Sequence, residues 1–148
     1  MVKCCPCAIQ ISMTELATYY LEHKDEELVQ ALLAAGIFVA LADGRANRLE
    51  RDELVNFIDR QGYAPNFSRH DIAAKLDSIM RKLQAGDPLR TTIELLLPIT
   101  GLSLSSVVIR TAERVATADR VVLPSEIDAI AAIRQIMKRS AAAQHASR

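Results

Sequence analysis

The chain has 148 residues, with 18 Lys plus Arg balanced by 18 Asp plus Glu, so it is one domain in size. It carries no global field that would draw in nucleic acid or an anionic membrane. Half of its residues are hydrophobic, yet it has no Trp and only three Phe and three Tyr. Its core must therefore be aliphatic and alanine-rich, which suits an all-α fold.

In chain order, residues 1–11 are expected to form a flexible N-terminal segment. Cys4, Cys5 and Cys7 fall within it and have no partner cysteine elsewhere. Cys4 and Cys7 have the spacing of a Cys-x-x-Cys pair, but no second pair and no nearby histidine completes a four-ligand set, so a tail without chemistry is expected. The N-terminus has no apolar stretch of secretory length, and no run reaches the ~18 apolar residues of a membrane span. Neither secretion nor membrane insertion is expected, and a cytoplasmic location follows.

A helical domain is expected over 12–138. Ser12 and Glu15 have the spacing of a capping box and predict a first helix over Met13 to Glu22. Asp25 opens a second, to Ala42, striped by Val29, Leu32, Leu33, Gly36, Ile37 and Ala40. Gly36 on that stripe predicts a close approach by a neighbouring helix. Leu54, Phe57 and Ile58 mark a third helix ending at Gln61-Gly62, a glycine C-cap. Ser68 with Asp71 begins a fourth, striped by Ile72, Leu76, Ile79, Met80 and Leu83 and ending before Gly86. Asp87-Pro88 starts a fifth that ends at Pro98 or Gly101. Ser103 opens a sixth, reaching Ala118. Pro124 opens a seventh, with Ile127, Ile130, Ile133 and Met137 facing inward. Residues 139–148 are basic, lack large apolar side chains and are expected to fray.

One phrase recurs. Ala40-Leu41-Ala42-Asp43-Gly44 with Glu50 reappears as Ala116-Thr117-Ala118-Asp119-Arg120 with Glu126, seventy-six positions later. The same shift lays Val39 on Val115, Leu54 on Ile130 and Phe57 on Ile133. Helix, loop and helix repeat together, which predicts two related halves packed about a pseudo-twofold axis. An aspartate at a helix C-terminus faces the negative end of the dipole and calls for a partner. If the loops meet, Asp43, Glu50, Asp119 and Glu126 could share one acidic surface that a divalent cation such as Ca2+ would neutralise. Neither loop has the alternating oxygen ligands of an EF-hand, so such a site would have to be assembled between loops. The simpler account is that the aspartates accept loop N–H groups and the glutamates satisfy the first turns of their helices.

These two loops resemble the signature loops of the tellurite-resistance TerB family. The likeness covers about Leu28 to Met137 and includes the seven-helix, two-half arrangement. It implies a small all-helical cytoplasmic protein of tellurite or general stress resistance, non-enzymatic and acting in protein complexes, with partners that include membrane-associated components. Carried over residue by residue, the loop acids fall on Asp43, Glu50, Asp119 and Glu126, and the loop glycine on Gly44. Arg120 stands where the second loop would carry glycine, which places a fixed positive charge beside Asp119. Asp52, Glu53 and Asp128 are expected at the surface. Two other readings are a metal-dependent hydrolase using Glu50 or Glu126 as general base, and a structural helical domain with a homodimer face. No nucleophile with an activating base is legible in the sequence, which favours binding over catalysis.

Overall fold

Helix α1, Asp25–Ala40, is the axis of the molecule. From Leu28 to Ala40 every residue is buried except Gln30 and Phe38, which are half-buried. The expected stripe is thus only part of the buried surface, because Ala31, Ala34, Ala35 and Val39 are fully covered as well. A helix apolar all round needs neighbours all round. They are α2 (Arg48–Gln61), α3 (Arg69–Ala85), α4 (Pro88–Leu96), α5 (Ser105–Ala116) and α6 (Pro124–Ala146), all of which touch it.

The computed structural model describes residues 25–44, 46–100, 104–118 and 122–146. The helix expected over Met13 to Glu22, the cysteine cluster, Asp119 and Arg120 lie outside them. Among the described residues there are six α-helices and no strand, and the fold is all-α as expected. No helix there is long and apolar enough to cross a membrane.

The local signals place most boundaries. α1 ends at Ala40 and tightens into a 3-10 turn, Leu41–Asp43, closed by Gly44 at φ 111° with its N–H donating to the Leu41 carbonyl. Gly62 caps α2 at φ 71°. Both glycines hold the left-handed conformation that L side chains resist. Ser68 and Asp71 form a reciprocal capping box at α3, and the Ser68 N–H and hydroxyl hold the Asp71 carboxyl below its ordinary range. Asp87 accepts from the backbone N–H groups of Leu89 and Arg90 at the start of α4. That helix ends at Leu96, and a 3-10 turn, Leu97–Ile99, carries the chain through Pro98. α5 begins at Ser105 without a side-chain cap. α6 continues past Lys138 to Ala146, beyond the expected end of the domain.

Gly36 does what its place on the stripe predicts. A Cβ there would lie 2.7 Å from Leu54 Cδ1 and 2.8 Å from Cδ2, so α2 reaches α1 through the missing side chain. Ile127 is 55% exposed and does not face inward as expected. Among the residues of α6 up to Arg139 the buried positions are Glu126, Ala129, Ile133 and Met137, at helical spacing. A glutamate occupies the inward position of the first turn.

Glu53, expected at the surface, is half-buried and ties α2 to α5: its Oε2 accepts from Arg114 Nε at 3.1 Å and Arg60 Nη2 at 3.1 Å. The Arg114 guanidinium lies 5.5 Å from the centre of the Phe57 ring, a cation–π contact. Asp52 and Asp128 are exposed as expected.

Candidate functional site: a buried glutamate pair

Glu50 stands at the third residue of α2. Its backbone N–H donates to Asn47 Oδ1 at 2.9 Å, and its Oε1 accepts from the Asn47 N–H at 3.1 Å, a complete capping box. Seventy-six residues on, Glu126 stands at the third residue of α6 and its Oε1 accepts from the Leu123 N–H at 2.9 Å. Leu123 occupies the position of Asn47 but has no side-chain acceptor, so only half of the box is repeated. The simpler sequence reading, glutamates satisfying first-turn donors, is correct for one oxygen of each residue. Asn47→Ala should cost about 1 kcal/mol of stability, measured by urea denaturation, because it removes an N-cap acceptor while leaving the backbone donor to Glu50 in place.

Capping does not explain the burial. Capping glutamates normally sit in water, whereas Glu50 and Glu126 are each only 1% exposed. They also meet, with a hydrogen bond between the two carboxyls. Glu50 Oε2 is buried and no protein N–H or hydroxyl reaches it. Two carboxylates are acceptors only, so the contact is satisfied when one of them carries a proton. The Glu50 carboxyl is accordingly pushed up from 4.5 to about 8. Burial away from water is the chief cause, and the hydrogen bond with Glu126 is the next. The Asn47 N–H opposes the shift, while the negative charges of Glu126 and, least, Asp43 add to it.

The fold brings together two of the four sequence-predicted acids, one from each repeat, and sets Asp43 close enough to act on Glu50 through its charge. The 3-10 turn that ends at Asp43 packs against α6, so the first loop meets the second half of the chain. Asp43 itself is exposed. The expected acidic surface is therefore a buried carboxyl pair with an exposed aspartate nearby, and Asp119 lies outside the described residues. Arg48 does not neutralise either glutamate, since it pairs with Asp52 at 3.6 Å.

The donor set suits a hard cation in part. Glu50 Oε2 has no donor, and the carboxyl to which it belongs feels the charges of Glu126 and Asp43. Among the described residues no three His, Cys, Asp or Glu side chains gather into a complete set, so carbonyls and water would have to supply further oxygens. The Asn47 cap was legible in the sequence as Asn-x-x-Glu, a signal the acidic repeat overshadowed. No protein-family model, curated protein or solved structure matches the chain.

Proposed function

We propose that this protein is a non-enzymatic binding or adaptor module of tellurite or metal stress resistance, with a carboxyl pair between its two halves that holds a proton or a divalent cation. The observation that carries the reading is the contact between Glu50 and Glu126, buried to the same degree from equivalent positions of a repeated unit. Burying two acids together is costly, and the cost falls when a cation or a proton lies between them. The cation reading draws on Glu50, Glu126 and Asp43, with Asp119 completing the four acids of the repeat and Ca2+ the ion best suited to carboxylate, carbonyl and water oxygens.

The stress-resistance setting, cytoplasmic location and protein partners, including a membrane-associated component, rest on the resemblance of the two loops to the TerB family. Chemistry on a substrate is less well supported. A metal-dependent hydrolase needs an open ligand position in a concave site, while both glutamates are closed off from solvent. Titration calorimetry of metal-free protein with Ca2+ and with Mg2+ tests the cation reading. Saturable heat is expected, weakened in Asp43→Asn and abolished in Glu50→Gln. Absence of heat at ~1 mM metal, within the range of weak calcium modules, would leave the proton as the only occupant of the pair.

A further inference from the structure

Helices α4 and α6 both pack on α1 but scarcely on one another, and a groove of about 320 Å³ opens between them. Leu89 and Ile93 of α4 form one wall, and Ala132 and Ile136 of α6 the other, each pair about one helical turn apart. Gln135 and Arg139 edge the α6 side, and no acid lines the groove. Leu89 is 42% exposed, and Leu97, which follows α4 with helical φ and ψ, is 52% exposed. Leu89, Ile93 and Leu97 recur every fourth residue and make an apolar ridge beside the groove. A contiguous apolar patch, unlike a single exposed apolar residue, marks an interaction surface. The volume only just reaches the ~300 Å³ at which small-molecule sites begin, and such sites enclose most of their ligand. Here Leu89 and Arg139 stay exposed, which suits a polypeptide partner.

We infer that the occupant is a second copy of this chain, with α4 of each copy seated in the groove between α4 and α6 of the other. The surface carries both halves of such a contact, an apolar ridge and an apolar groove, and an isologous pairing uses each of them twice. Its charges are complementary as well. Arg139 makes no ion pair with a described residue. Glu94 flanks the ridge one position beyond Ile93 and is held by Arg90 at 3.8 Å, with both side chains mostly exposed. A pair of that kind contributes little, so Glu94 is open to a better partner. Once α4 of one copy lies beside α6 of the other, Glu94 of the partner subunit faces Arg139. The contact is separate from the glutamate pair, since the α6 wall begins at Ala132, six residues after Glu126.

The test is sedimentation equilibrium of the full-length protein over a wide concentration range, with reductant present so that Cys4, Cys5 and Cys7 cannot link copies covalently. A reversible equilibrium between monomer and dimer is expected. Leu97→Asp puts a charge into the apolar contact and Arg139→Glu sets like charges against Glu94, so each should weaken association about tenfold or more. Glu94→Arg should do the same. Glu94→Arg combined with Arg139→Glu should restore association to within about threefold of the native protein, because exchanging the two charges keeps the pair. All three positions are exposed, so these variants keep the fold. Leu49→Asp, at an exposed leucine beside the glutamate pair, should leave association unchanged. A protein that stays monomeric up to ~1 mM would overturn the assignment. So would a dimer indifferent to Leu97→Asp and to both charge reversals, a double variant no tighter than the single ones, or a dimer broken by Leu49→Asp.

Discussion

Glu50→Gln should make the protein more stable at pH 9 and flatten its stability between about pH 4.5 and 8. The folded state holds the Glu50 proton up to about 8, against 4.5 when the group is unperturbed. Between those values the native state binds more protons than the unfolded state, so the stability of the native protein declines as pH rises through the window. Below 4.5 both states are protonated and no penalty applies; above 8 the full penalty is present. A tenfold change in proton affinity corresponds to about 1.4 kcal/mol, but relaxation around the buried carboxyl lowers the cost. A gain of about 2 kcal/mol at pH 9, with little change at pH 4.5, is the expected result. Gln is well suited to the test because it serves in a capping box as Glu does. Its carbonyl can accept from the Asn47 N–H, and its amide can donate to Glu126 without titrating. Urea denaturation at pH 4.5, 7 and 9 reads the effect. An unchanged slope of stability against pH in the variant would mean that the pair does not hold a proton in the way described.

The second large effect concerns the contact between α1 and α2, where the sign of one substitution should depend on another. Leu54 is 1% exposed, and both of its methyl groups lie under 3 Å from where a Gly36 side chain would begin. Gly36→Ala in the native protein gains about 1 kcal/mol of helix propensity. It also forces a buried leucine from its place, at about 2 kcal/mol, so a net loss of about 1 kcal/mol is expected. Leu54→Ala alone should cost about 3 kcal/mol through the cavity it leaves. Adding Gly36→Ala to Leu54→Ala should then restore about 1 kcal/mol, because the obstructing methyl groups are gone. Chemical denaturation of the four proteins gives the coupling directly. Additive effects would show that α1 and α2 relax apart easily and that Gly36 is not needed for their approach.

Much of this arrangement is written locally. Gly62, Ser68, Asp87 and Pro124 act within one helical turn, through a left-handed cap, a side-chain acceptor or a fixed φ, so their elements start or stop where those residues stand. α1 is harder to read in full, because a stripe of large aliphatic residues predicts one buried face. Its alanines are buried as well only because other helices close around them. Ile127 goes the other way for a related reason. Periodicity counts apolar residues, and it assigns the inward position of the first turn of α6 to an isoleucine when the fold gives it to Glu126.

Propensity, capping and periodicity act over a few residues, and they suffice for the all-helical class, most helix boundaries and the repeated unit with its acids at matching positions. What those acids become depends on contacts across the chain. Glu50 and Glu126 meet because the end of α1 and its 3-10 turn pack against α6, a contact between segments far apart in sequence. Burial then turns two ordinary capping glutamates into one coupled pair, since the loss of water, more than the presence of a neighbouring charge, holds the proton on Glu50.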